Sequence, residues 1–177
     1  MKFRNIFYML KLSAIGGTES FLYYLSRYLK DSDITIMYKI GDSTQVNRLR
    51  QYVRVIKWEN KFETERIECD KIFYNYFTEI AQFVDAKEHI QILHTDYKEQ
   101  LHNISYGFTP NPLITRYIAP TKIVAEHFTE VYGLPCEVCS NPIVIDKPKK
   151  ILNLISATRK KKKKGRDRMI ELGRLLD

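Results

Sequence analysis

No stretch of this chain approaches the roughly 20 consecutive apolar residues that a membrane-spanning helix needs. The opening Met1-Lys2-Phe3-Arg4 leads into an apolar run that Lys11 breaks, without the small-residue cleavage site of a secretory signal. Cysteine is scarce. Cys69, Cys136 and Cys139 are an odd number in a chain without a secretion signal, which fits a reducing cytoplasm. Cys136 and Cys139 spell C-x-x-C, but no second Cys/His pair lies close enough in sequence to complete a tetrahedral zinc site. They are therefore expected as two buried thiols on an extended segment, and no metal site is expected. Tryptophan occurs once, at Trp58, and no internal repeat at solenoid spacing is present.

What is there is an ordinary globular composition: 177 residues, 44% apolar and 28% charged, enough for one good hydrophobic core. Twelve tyrosines are a heavy usage. The formal net charge is +8 and the pI near 9.3, so the surface should attract anions such as nucleic acid, acidic lipid headgroups or phosphorylated ligands. Charge alone does not choose among them.

Apolar runs and helical periodicity alternate along the chain. Strands are expected at Asn5 to Leu10, Ile34 to Tyr38, Val53 to Trp58, Lys71 to Tyr76, Ile90 to Leu93, Arg116 to Ala119 and Cys136 to Cys139. A helix capped by Thr18 should bury Phe21, Leu22, Leu25 and Leu29 on one face and break at Asp31 and Asp33. Shorter helical stretches are expected at Val46 to Tyr52 and near Thr78 to Val84. Pro120 and Thr121 open a helix in which Val124, Phe128 and Val131 share a face, with Gly133 as its C-cap and Pro135 beyond. The alternation predicts an α/β fold with a mostly parallel, Rossmann-like sheet flanked by helices.

Ligands in such sheets bind at the carboxyl ends of strands. Polar clusters fall at three expected ends: the turn Gly16-Gly17-Thr18-Glu19, the sequence His94-Thr95-Asp96, and Asn141. The glycine turn places backbone N–H groups and a helix N-terminus where an anion or a sugar hydroxyl can approach. It is neither G-x-G-x-x-G nor a P-loop, so neither a dinucleotide nor a nucleoside triphosphate cradle is indicated; the plainer reading is a simple strand-to-helix turn. His94 at a strand end can hydrogen-bond a sugar hydroxyl or shuttle a proton, or it can be a loop histidine with no role. Beyond Asn141 the text changes. Residues 147–150 read as a linker after a first domain spanning 1–146, and 151–177 as one strand and one helix of a second domain. One strand and one helix make no core, so the second domain is expected to be truncated. Its apolar faces, Ile151, Leu152, Leu154 and Ile155 on the strand and Met169, Ile170 and Leu176 on the helix, should dock on the first domain or on a second copy, including a domain-swapped dimer. Arg159 and Lys164-Gly165, between that strand and helix, suit a diphosphate; the competing reading of Lys160 to Lys164 is a solvated charge run or a nonspecific nucleic-acid contact.

In combination these elements resemble the retaining GT-B glycosyltransferases that use nucleotide-sugar donors, the family 4-type enzymes of polysaccharide and lipopolysaccharide synthesis. Ile15-Gly16-Gly17-Thr18-Glu19 looks like the family's first glycine loop. Tyr117 to Phe128, then Tyr132-Gly133, resembles its A-P-S-x-x-V strand and helix, and Asn141-Pro142-Ile143 the asparagine turn before the interdomain linker. Ser156 to Arg159 with Lys164-Gly165 resembles the R-x-x-x-x-K-G element that opens the donor domain, although Lys160 stands where the family has an apolar residue. The family's paired-glutamate motif has no counterpart in this chain.

The resemblance implies a transferase that moves a sugar from a nucleotide diphospho-sugar to the hydroxyl of an acceptor saccharide or lipid-linked saccharide, with retention, no metal and no cofactor beyond the donor. It implies that Gly16, Gly17, Glu19 and Asn141 line the acceptor and donor loop, that His94 is catalytic, and that Arg159, Lys164 and Gly165 hold the donor diphosphate, neutralising the leaving group. It also implies a cytoplasmic enzyme peripheral to the inner face of an anionic membrane, inactive without a full donor domain. The alternatives are a noncatalytic α/β interaction domain and a basic nucleic-acid-binding domain, the second less favoured.

Overall fold

The computed structural model describes residues 1–13, 16–100 and 108–141, with the backbone alone at 99 and 100. The chain divides between Ile143 and Val144 into two units, and every described residue belongs to the first. Seven strands form one sheet: β1 (Lys2–Leu12), β2 (Ile34–Gly41), β3 (Arg54–Lys57), β4 (Ile67–Asn75), β5 (Val84–Ile92), β6 (Arg116–Ala119) and β7 (Cys136–Val138). Every pairing is parallel, in the order β3-β2-β1-β4-β5-β6-β7. The helices are α1 (Gly17–Tyr28), α2 (Ser43–Arg50), α3 (Lys61–Thr64), α4 (Tyr97–Gln100) and α5 (Lys122–Tyr132), with one 3₁₀ turn at Ala81–Phe83. The fold is α/β and Rossmann-like. Among the described residues no helix is long and apolar enough to cross a membrane.

Parallel strands need crossover connections, and crossovers share one hand, so the direction of travel across the sheet decides which face a helix covers. From β1 to β3 the chain moves one way, and α1 and α2 bury Leu22, Val46 and Leu49 against Phe7, Met9, Leu12 and Ile36. From β4 onward it moves the other way. Phe62, Tyr97, Val124 and Phe128 from α3, α4 and α5 then pack on the opposite face, with Ile6, Tyr8, Ile72 and Tyr74. β1, the central strand, has side chains in both clusters.

Two tyrosine hydroxyls in the second cluster find partners: Tyr8 donates to Glu79 Oε1 at 2.5 Å, and Tyr74 Oη lies 2.8 Å from His89 Nδ1. Burial holds both phenols well above their usual pKa. Under α5 a run of aromatics, Tyr97, Phe108, Tyr117, Phe128 and Tyr132, meets at ring-centroid separations of 4.7–5.9 Å, mostly edge to face. That helix starts and stops as its sequence indicates. Thr121 accepts from the Val124 N–H at its N-terminus, and Gly133 takes the left-handed conformation (φ 68°) at its end.

Several elements differ from the sequence expectations. Thr18 is not the cap of α1: Gly16 occupies that position, with no side-chain cap. Only one 3₁₀ turn forms between Thr78 and Val84, and Val84 already begins β5. β4 and β5 begin earlier than their apolar runs, at Ile67 and Val84, and charges pair across the added segments: Asp70 with Lys87 at 2.7 Å, and Glu88 with Lys71 at 2.5 Å and Arg116 at 2.9 Å. The C-x-x-C thiols are not both buried: Cys136 is half-buried and Cys139 exposed, and all three cysteines are free. The docking expected of 151–177 lies outside the described residues.

Phe128 is fully buried and touches four other rings. Phe128→Ala should cost about 3–5 kcal/mol of stability in urea denaturation, and Phe128→Leu markedly less. A loss no greater than that of an exposed substitution would show that α5 does not anchor this half of the core.

Candidate functional site

The strand order turns back on itself between β1 and β4. In an open parallel sheet the loops leaving two such strands diverge to opposite faces and leave a crevice at their carboxyl ends. The loop leaving β1 carries Ser13 and then Gly16, Gly17 and Glu19. Gly16 is extended (φ −171°, ψ 172°), and its carbonyl accepts the Ser20 N–H at 3.0 Å. Backbone strain does not require glycine there, and a side chain at this position would have to displace the Glu19 carboxylate. A Cβ on Gly16 would sit 2.2 Å from Glu19 Oε2, because the Glu19 carboxylate folds back over the turn. A Cβ on Gly17 would meet nothing within 4 Å. Glu19 is buried, and its Oε1 accepts from Ser13 Oγ at 2.5 Å. Its carbonyl accepts from Gln45 Nε2 of α2 at 3.3 Å. The positive end of the α1 dipole is thus already matched by the protein's own carboxylate.

β5 leads directly to His94. Its ring packs edge-on against Phe21 of α1 at 5.1 Å and tilts against Tyr76 at 5.7 Å. Nε2 is buried without a hydrogen-bond partner. Burial lowers the imidazole pKa from 6.5 to about 4, so the ring is neutral at pH 7.

Between these two loops lies the end of β4, which the sequence reading did not single out. Asn75 is 4% exposed, and both its Nδ2 and its Oδ1 lack partners. Each buried polar atom left unpaired costs about 1–3 kcal/mol. Tyr76 follows with φ 70°, the left-handed region that a bulky non-glycine residue rarely adopts. Its carbonyl accepts from Gln91 Nε2 at 2.7 Å, and its hydroxyl lies 2.5 Å from Thr95 Oγ1. Gln91 is itself buried, with Oε1 unpartnered. The available signal was an amide closing an otherwise apolar strand, Lys-Ile-Phe-Tyr-Asn-Tyr.

No family model matches this sequence, and no curated protein is significantly similar to it. The site therefore rests on its geometry.

Of the residues marked from sequence, Gly16, Gly17 and Glu19 follow β1 and His94 follows β5 at the same end of the sheet, with the His94 ring against Phe21 of α1. Asn141 also follows the carboxyl end of a strand, but that strand is β7, four places from β1 in the sheet order. At about 4.8 Å per strand it stands roughly 19 Å away. Asp96 does not serve His94: it bonds His127 Nδ1 of α5 at 2.9 Å and the Lys98 N–H at 3.0 Å. Arg159, Lys164 and Gly165 lie outside the described residues. No group of three or more His, Cys, Asp or Glu able to hold a metal occurs among the described residues. At the opposite edge, by the amino ends of the strands, an open charged depression is lined by Arg4, Asp31, Asp33, Asp70, Lys71 and Lys87. Cations and carboxylates there neutralise each other, as in the 2.7 Å Lys87–Asp70 pair.

The crevice as it stands offers a neutral imidazole, a carboxamide, a carboxylate, hydroxyls and two aromatic faces. That set hydrogen-bonds hydroxyl groups and packs against an apolar ring face, and among the described residues no Lys or Arg is paired with it.

His94 also sets a pH dependence. Between pH about 6.5 and about 4 the unfolded chain holds a proton at this ring that the folded protein does not. Stability contributed by the neutral ring is complete above pH 6.5 and declines as the pH falls towards 4, by of the order of 2–3 kcal/mol. Urea denaturation between pH 7 and 4 should show a steeper loss for the wild type than for His94→Gln. Equal slopes, or an NMR titration of His94 near 6.5, would mean that the ring is solvated.

Proposed function

We propose that this chain is the acceptor-side portion of a retaining GT-B-type glycosyltransferase, and that the crevice between the β1 and β4 loops holds a saccharide. The observation that carries the reading is His94: a neutral ring with a buried, unpartnered Nε2, packed on Phe21 of α1, the helix that follows the glycine turn leaving β1. A neutral imidazole both accepts from and donates to sugar hydroxyls, according to its tautomer. Phe21 and Tyr76 supply the apolar faces on which a pyranose packs. In the reaction the bond between the anomeric carbon and the nucleotide diphosphate breaks, and a bond to an acceptor hydroxyl forms on the same face of the sugar. The acceptor proton leaves with the diphosphate. Arg159 and Lys164 neutralise the charge developing on that leaving group. Gly17, open to solvent, lets a sugar approach the backbone at the start of α1.

The test is a titration of the protein with UDP-, GDP- and TDP-sugars and with acceptor oligosaccharides, followed by amide and imidazole shifts. Shifts should gather at Ser13, Gly16, Gly17, Tyr76 and His94, and His94→Ala should weaken binding at least tenfold, about 1.4 kcal/mol. Absence of binding by every sugar and nucleotide sugar, or shifts centred on Arg4, Asp70 and Lys87, would overturn the reading.

A second property is favoured by the outer faces of α1 and α2. The Arg48 guanidinium lies 3.5 Å from the centre of the Tyr23 ring and Arg27 lies 5.7 Å from it, while Tyr52 stacks edge-on against Tyr23. α2 has no acidic residue, and the one acid of α1, Glu19, is buried. Such a face suits anionic lipid headgroups, where a lipid-linked acceptor would reside. Cosedimentation with phosphatidylserine-containing vesicles should fall severalfold in an Arg27→Glu, Arg48→Glu protein and at high salt. Equal binding to neutral vesicles would remove the electrostatic basis, and preferential binding of single-stranded nucleic acid would reassign the face.

A further inference from the structure

Asn75 stands out from every other polar side chain around the crevice. It lies in register with Met9 of β1 and Ile92 of β5, on the side of the sheet that packs against α1. His94 comes two residues after Ile92 and reaches Phe21 of α1, so the amide and the imidazole share that side. An apolar residue at position 75 would join Met9 and Ile92 in the core without leaving a polar atom unpaired. Asparagine forgoes that, and the next residue, Tyr76, adopts a left-handed backbone held by Gln91 and Thr95. Unpaired buried groups and backbone strain coincide where binding groups are preorganised.

Resting on the saccharide reading above, we propose that Asn75 is the specificity-determining residue of the crevice, and that its carboxamide recognises a hydroxyl of a neutral sugar rather than a phosphate. A hydroxyl donates and accepts, as a carboxamide does, so one or two neighbouring hydroxyls satisfy both Nδ2 and Oδ1. A phosphate dianion only accepts. It would leave Oδ1 unpaired and meet the Glu19 carboxylate at the same edge. Among the described residues no Lys or Arg side chain is in hydrogen-bond or ion-pair contact with Ser13, Glu19, Asn75, Tyr76 or His94. Both amide atoms are already withdrawn from bulk water, so a sugar hydroxyl that reaches them displaces little hydration from the protein.

The experiment compares wild type with Asn75→Leu and Asn75→Ala. The probes are methyl α-glycosides of glucose, galactose, mannose and N-acetylglucosamine, with inorganic phosphate alongside, read by amide shifts and by thermal unfolding. Expected are binding of at least one glycoside to the wild type, loss of at least tenfold in affinity in both variants, and a Tm for Asn75→Leu raised by about 2–4 °C as the unpaired amide is removed. The alanine variant gives the affinity comparison if the leucine does not pack. Glycoside binding unchanged in the variants overturns the role of Asn75 and leaves the saccharide reading intact. A lowered Tm in Asn75→Leu passes the decision to Asn75→Ala: affinity unchanged there overturns the role of Asn75, and affinity lost at least tenfold supports it. Phosphate shifting these amides more than any glycoside overturns the neutral-ligand class. Failure of every glycoside with the wild type removes this inference together with the saccharide reading.

Discussion

β1 pairs in parallel with β2 on one side and β4 on the other along most of its length, from Lys2 to Leu12. A strand so enclosed must be apolar on both faces, and Ile6, Tyr8 and Leu12 are fully buried. Parallel pairing on both sides also obliges the chain to cross over and, once it has built β2 and β3, to return past β1 before laying down β4. That return moves the later helices to the other face and parts the two central loops. The crevice is a consequence of this topology, before any particular side chain is considered.

Much of the core pairs its polar groups, although Trp58 Nε1 and Tyr97 Oη are buried without a partner. Tyr8 and Glu79 pair, Tyr74 and His89 pair, and the charges of β4 to β7 link across the sheet. At the carboxyl end of β4 and β5 the pattern changes. Asn75, Gln91 and His94 each hold at least one buried atom without a partner, and Tyr76 adopts a left-handed backbone. Unpaired amides and a left-handed backbone coincide only here among the described residues, which is how binding sites commonly depart from the rest of a fold.

Charge follows the same division. The chain carries a net +8, yet the crevice presents a carboxylate and a neutral histidine. The excess of cations lies in residues 142–177 of the sequence, outside the described residues, and residues 1–141 hold as many acidic as basic side chains. Long-range attraction of anions and short-range recognition in the crevice are therefore separate properties. Glu19 at the first turn of α1 makes the difference, since a helix N-terminus without it would draw a phosphate.

Residue periodicity alone determined the class of this fold. Apolar runs such as Asn5 to Leu10 and Arg116 to Ala119, and the Thr121 and Gly133 signals around α5, are local and survive any tertiary arrangement. The positions of Gly16 and His94 at strand ends were legible for the same reason. Strand lengths were not: the charged residues Asp70, Lys87 and Glu88 join strands and pair with partners on the neighbouring strands. The cap of α1 passed from Thr18 to Gly16 because Glu19 folds back onto the turn and bonds Ser13, a contact no spacing rule contains. Asn75 and Gln91 read as ordinary polar residues in sequence. Only the tertiary structure makes them exceptional, since being buried and unpaired depends on what all the neighbours fail to offer. Sequence decided which residues stand at the ends of strands; the order in which the strands pair decided which of those ends face one another.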